Sequence, residues 1–288
     1  MNDRVELAYA NEELERLHAV LLDILKEIIR VCTLLDIEFF TIGGTAIGAK
    51  YYEGFVPCDD DIDLGMSRDN YNRFIKEAPG VFKPGYFLQH PNTEPKTPFY
   101  FTKIRKDNTL FVQEKYKDMD IHHGIFIDIF PFDRVPDNPL VSKIHRRIVQ
   151  FLEGSFNRRQ VKSAVIESQP NWPAFISKPM IELRWRLIRL IPRHFFIWRL
   201  NLVSSAFDKR KTSYWDVIKS SVDKISDESI SHLLIACFEG LEIKIPGDID
   251  NYLKNHYPGL QSKEQIIPLW KSHAPFKLSF EKGLTCHS

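Results

Sequence analysis

The sequence predicts an α+β fold, a mixed sheet with flanking helices followed by a mainly helical C-terminal part. Three observations carry that expectation. Residues 11–35 place Leu14, Leu17, Leu21, Leu25, Ile28 and Cys32 at spacings of three and four with charges between them, the period of an amphipathic helix. Residues 37–135 break into short β-rich stretches separated by glycine, proline and polar turns. From about residue 139 the texture becomes long and helical in period. The chain of 288 residues therefore reads as a core over 1–138 and an extension over 139–288.

Taken in order, "IEFFTIGG" predicts a strand over Ile37–Ile42, stopped by Gly43 and Gly44, and "TAIGAKYY" a short helix from Thr45. After the turn "EGFVP" comes an acidic strand, Asp61 to Met66. "SRDNYNRFIKEAP" is a helix with Ser67 as N-cap. Strands follow in "YFLQH", "YFTKIRK", "TLFVQE" and "GIFIDIFPFD". The last alternates Ile125, Ile127 and Ile129 against Phe126, Asp128 and Phe130. Residues 140–160 and 178–211 are helical in period, with Pro192 splitting the second stretch, and 164–179 read as a loop. Residues 213–245 return to mixed structure, and a final helix starts near Asp248.

Composition narrows the function. Residues 1–140 hold 24 acidic against 16 basic side chains, and residues 141–288 hold 14 against 23. An acidic site in the first half and a surface for anionic partners in the second are the expectation. The four cysteines (Cys32, Cys58, Cys237 and Cys286) form no CxxC pair, which argues against a zinc site or a disulfide framework and for a reducing cytoplasm. The first residues are too charged for a signal peptide, and no apolar run is long enough for a transmembrane helix. No nucleic-acid recognition motif or aromatic-basic platform appears.

"GFVPCDDDIDLGM", residues 54–66, crowds four aspartates into five positions. Strand alternation sends Asp61 and Asp63 to one face and Ile62 and Leu64 to the core, with Asp59 in support and Asp60 turned away. Two carboxylates about 7 Å apart on one face repel unless a cation bridges them, and Mg²⁺ is the natural choice with Mn²⁺ second. Upstream, Gly43, Gly44 and Thr45 stand at a strand-to-helix junction, where free N–H groups and a hydroxyl can meet phosphate. Asp128, isolated on an apolar strand, is the first candidate for a third carboxylate, and Asp133 is the second. His122 and His123 would point to opposite strand faces, so at most one reaches such a site.

These residues resemble the LicD/fukutin-related family, a branch of the nucleotidyltransferase-fold superfamily. The resemblance is carried by "GGTAIGA" (43–49), "GFVP" (54–57), "DDDIDLGM" (59–66), "KIR" (103–105) and "IDIFPFD" (127–133), in that order. It implies a nucleotidyltransferase-like core completed by the C-terminal part. It implies transfer of a phospho-alcohol, phosphocholine or ribitol phosphate, from a CDP-activated donor to a glycan hydroxyl, with release of CMP. Asp61, Asp63 and Asp128 would hold the metal and carry catalysis. Gly43, Gly44, Thr45, Lys103, Arg105 and His273 would bind substrate. Departures are local: Cys58 stands where the family has Trp, Tyr51 and Tyr52 where it has Arg-His, and the acidic residue near Tyr257 is absent. Donor preference is expected to differ there.

Either Asp128 or Asp133 would accept the hydroxyl proton. The arginine-rich stretch 181–200 suits a peripheral contact with the inner face of the membrane and a lipid-linked acceptor. Two alternatives stand beside this reading. One is a nucleotidyltransferase that moves NMP and releases pyrophosphate; the other is a non-catalytic nucleotide- or glycan-binding homologue.

Overall fold

The structure, a computed structural model, describes residues 9–161, 182–183, 185–217, 224–260, 263–266 and 275–280. In chain order the first part holds α1 (Asn11–Leu35), β1 (Phe40–Thr41), α2 (Gly43–Tyr51), β2 (Asp63–Ser67), α3 (Arg68–Glu77), β3 (Tyr86–Gln89), β4 (Thr102–Lys106), β5 (Leu110–Val112) and β6 (Phe126–Val135). The second part holds α4 (Pro139–Gln160), α5 (Arg193–Ser204), β7 (Tyr214–Asp216), β8 (Ile225–Ser226), α6 (Asp227–Ser231), β9 (Leu234–Phe238), β10 (Leu241–Ile245), α7 (Ile249–His256) and β11 (Lys277–Ser279).

The main sheet runs β1-β2-β6-β4-β3. β2 and β6 are parallel, and the other neighbours are antiparallel. β6 is long enough to serve two partners besides β2: β4 pairs with residues 126–129 and β7 with 133–135. α1 lays its apolar stripe on this sheet, with Leu17, Leu21, Ile24, Leu25, Ile28 and Val31 buried. Each such side chain contributes roughly 1.5–3 kcal/mol by leaving water. Leu64 and Met66 are fully buried on one face of β2, as alternation requires, and Ile62 is fully buried from the loop before it. The expected caps form: Ser67 Oγ accepts the Asn70 N–H, and Asp248 Oδ1 the Asn251 N–H.

The second part does not stand apart. β7 extends the main sheet, β11 pairs with β5, and the β9–β10 hairpin packs on β1 and α2. A smaller core of Val149, Phe156, Ile188, Phe196 and Leu200 joins α4, the helical stretch 185–190 and α5. The break at Pro192 is observed, with Pro192 as the N-cap of α5. Among the described residues no helix is long and apolar enough to cross a membrane.

Three local expectations shift. β1 spans two residues rather than 37–42, because β2 gives it ladder partners only at Leu64 and Gly65. The helix after it starts at Gly43, not Thr45. The acidic strand starts at Asp63, so Asp61 is placed by the preceding loop and not by strand alternation. The loop read over 164–179 lies outside the described residues.

Candidate active site

The parallel register of β2 and β6 sets Asp63 directly beside Asp128. On the other side of β6, the antiparallel register sets Lys103 beside Asp128. Lys103 Nζ donates to Asp128 Oδ1 at 2.5 Å and lies 3.5 Å from the centre of the Phe126 ring. Lys103 is 2% exposed. Burial pushes its pKa down to about 8, against the pull of the Asp128 carboxylate.

The loop before β2 supplies a second acidic group. Carboxylate oxygens of Asp59, Asp60 and Asp61 lie within 4.8 Å of one another. Asp60 therefore belongs to this cluster, contrary to the expectation that it turns away; residues 59–62 are irregular, so alternation does not apply to them. Asp59 is buried, and burial followed by the charges of Asp61, Asp63 and Asp60 pushes its carboxyl well above the ordinary range.

α1 and the β9–β10 hairpin hold this loop from outside. The Tyr9 hydroxyl donates to Asp60 Oδ2 at 2.7 Å. His18 Nε2–H donates to the Asp59 carbonyl oxygen at 2.8 Å, while its ring stacks on Phe55 at 3.7 Å. Phe55 meets Phe238 edge-on at 5.0 Å, and its N–H donates to Glu239 Oε1 at 3.1 Å. Burial pushes the His18 pKa down, which suits a neutral ring donating one proton.

The glycine–threonine junction closes the third side. Gly43 has φ +54°, and a Cβ there would come 3.4 Å from Asp63 Oδ2. Its N–H donates to the Tyr252 hydroxyl at 2.9 Å. Thr45 Oγ1 accepts the Asp63 N–H at 2.9 Å and so ties α2 to β2. The Tyr257 hydroxyl lies 4.0 Å from the same Cβ position. α7 and the residue after it thus bring two phenols from the C-terminal part to the mouth of the acidic site.

Asp61, Asp63, Asp128, Gly43, Gly44, Thr45 and Lys103 lie on these adjoining elements. Arg105 shares the Lys103 face of β4, yet it is 1% exposed and its Nε and Nη1 donate to Gln89 Oε1 and the Gly124 carbonyl. Asp133 is engaged by Arg68 through two bonds of 2.6 Å. His122 bonds Asp107 at 3.0 Å and stacks on Phe87; His123 bonds the Met119 carbonyl. His273 lies outside the described residues. Cys58 is buried beside Asp59, and burial raises its thiol to about 11. Tyr9, His18, Glu239 and Tyr252 were not anticipated. Only His18 leaves a signal, as a polar residue four positions after Leu14 on the apolar face of α1.

Chemically, the site gathers hard oxygen donors, several half-buried or buried; burial first, and then repulsion from the neighbouring carboxylates, raises the Asp59 carboxyl. A hard divalent cation relieves that repulsion, so the donor set fits Mg²⁺ or Mn²⁺ and not a thiophilic metal.

Known proteins resemble the part of the chain that carries these residues. Residues 36–166 match the family model described as LicD/FKTN/FKRP, nucleotidyltransferase domain. Over 139 residues the chain is 34% identical to the lipopolysaccharide cholinephosphotransferase LicD of Haemophilus influenzae, spanning 45% of this chain and 49% of that protein. Over 120 residues it is 27% identical to an uncharacterized protein of Rickettsia typhi, spanning 42% of this chain and 36% of the other. The matches thus span about half or less of the length of these relatives. They support the LicD/FKTN family reading of the motifs.

Proposed function

We propose, for a chain whose residues 36–166 match the LicD/FKTN/FKRP nucleotidyltransferase domain, that it transfers a phospho-alcohol from a CDP-activated donor to a hydroxyl of a cell-surface glycan and releases CMP. Phosphocholine and ribitol phosphate are the passengers considered, and the setting is cytoplasmic. The observation that carries the reading is the side-by-side register of Asp63 and Asp128 next to the acidic loop and the α2 junction.

Asp61, Asp63 and Asp128 would hold Mg²⁺ or Mn²⁺, with Asp59 in support. A bound cation supplies charge neutralisation at the diphosphate. Gly44 and Thr45, at the amino end of α2, offer backbone N–H groups to donor phosphate, while Gly43 keeps space clear beside Asp63. The acceptor oxygen bonds to the phosphorus bearing the alcohol, the bond from that phosphorus to the CMP oxygen breaks, and the acceptor proton passes to Asp128. Asp128 suits that role better than Asp133, whose two oxygens are taken by Arg68. Lys103 orients Asp128 and offsets phosphate charge. Arg105 supports this strand from within the core, and the motif resemblance alone puts His273 forward for substrate binding. Tyr51, Tyr52 and Cys58 are where donor choice departs from the family.

A thermal-shift series tests the reading. With CDP-choline, CDP-ribitol and CTP, each with and without Mg²⁺, one CDP-alcohol is expected to stabilise only when metal is present. Saturation to about 100 Kd would add about 2.7 kcal/mol, a shift of a few degrees. Asp61→Asn and Asp128→Asn should abolish that shift and lower kcat at least ~100-fold. Stabilisation by CTP alone, with pyrophosphate as product, would instead make the protein a nucleotidyltransferase, and no metal-dependent shift with any of the three would sink the proposal.

A further inference from the structure

Eleven of the sixteen exposed large hydrophobic side chains among the described residues fall between residues 140 and 202. On α4, Leu140, Ile144, Ile148 and Phe151 recur at spacings of three and four and are 44–73% exposed. They lie beside the face that buries Val149 and Phe156, not on it. Leu183, Leu187 and Leu190 repeat the pattern while Ile188 turns into the small core. On α5, Trp198 and Leu202 face outward opposite Phe196 and Leu200. A globular helix ordinarily hides such a stripe.

Charge selects the occupant. From 139 to 211 the described residues include twelve Lys or Arg and three Asp or Glu. Lys143 and Arg147 are exposed along α4 beside the stripe. Arg189 lies over the Trp185 ring at 4.6 Å and Arg199 over the Trp198 ring at 4.5 Å. Apolar stripes, tryptophan and arginine together, with few carboxylates, match the chemistry of an anionic lipid surface. A second copy would set the same cations against themselves.

We propose that α4, the 185–190 helix and α5 form one surface that docks on an anionic phospholipid bilayer, their apolar side chains entering the headgroup–acyl boundary. The surface reaches beyond the arginine-rich stretch 181–200 to include α4. It rests on surface chemistry alone and stands or falls independently of the transfer reaction.

Vesicle flotation of the full chain tests it, comparing phosphatidylcholine with phosphatidylcholine mixed with phosphatidylglycerol. The protein is expected to float with the mixed vesicles and much less with the neutral ones. Leu140→Ser with Ile144→Ser and Phe151→Ser should lower the partition coefficient roughly tenfold or more, and so should Lys143→Glu with Arg147→Glu. Leu234→Ser with Ile235→Ser, exposed on β9, should leave it unchanged. Absence of flotation, or flotation untouched by the charge reversals, overturns the proposal. So does a dimer in sedimentation velocity that the α4 substitutions dissolve, which would assign this face to a second copy.

Discussion

Arg68 and Asp133, 65 residues apart, meet in the core with side chains 6% and 2% exposed and two parallel bonds of 2.6 Å. Removing one partner strands a buried charge. Arg68→Met or Asp133→Leu alone is therefore expected to cost about 3–5 kcal/mol in urea unfolding, and the double substitution to recover most of it. If the single and double variants lose the same amount, the pair is not what stabilises this region. Asp133 looked in the sequence like a reserve ligand because only its type and spacing were visible; Arg68 is brought to it by the fold. Asp208 makes a second residue-level case. Its Oδ1 accepts the Arg134 N–H at 2.9 Å, its Oδ2 is buried without a partner, and burial with the nearby Asp133 raises its pKa to about 6. The native state then holds more protons than the unfolded one from about pH 4 to 6, so this group's contribution falls as pH rises through that window. Asp208→Asn should be more stable than the parent above pH 6, by about 1 kcal/mol after allowance for solvent screening, and equal to it near pH 4. Melting temperatures across pH check this; a loss of stability at pH 7 would contradict it.

At the level of elements, β2 illustrates how little freedom the site leaves. A Cβ at Gly65 would meet ring carbons of both Phe132 and Phe40 at 2.7 Å. Those rings pack edge to face at 5.0 Å and link β1, β2 and β6, with Gly65 two residues along β2 from Asp63. Gly65→Ala must move one ring, at a cost of about 1–3 kcal/mol, and should reduce turnover by displacing Asp63 relative to Asp128. Denaturant unfolding and kinetics together check it; unchanged stability would mean the rings yield freely. Most elements were legible, because hydrophobic period and caps such as Ser67 and Asp248 are local signals. The starts of α2 and β2 were not, since Gly43 enters its helix through a bond to Tyr252 and the acidic loop is shaped by α1 and the β9–β10 hairpin.

For the whole molecule, the division at residue 138 is one of composition. β7 pairs with β6 and β11 with β5, and Tyr252 reaches Gly43 across 209 residues. Expressed alone, fragments 1–138 and 36–166 would expose those edges and the face covered by β9, β10 and α7. Neither is expected to show a cooperative unfolding transition, while the full chain should; a sharp melt from either fragment would refute this. The net charge of opposite sign in the two halves has a spatial counterpart, an acidic site in the first and a basic, apolar helical surface in the second.

The sequence by itself determined the α+β class and the order of the main elements, and it put forward Asp61, Asp63 and Asp128 as candidates, because periodicity and motif spacing are local properties of a chain. Only the tertiary structure decided which carboxylates face each other, that Asp60 joins the cluster, that Asp133 and Arg105 are held by partners in the core, and that tyrosines from both ends of the chain close around the site. Those outcomes depend on strand register and on contacts between residues far apart in the chain, where a shift of one position would exchange the two faces of a strand.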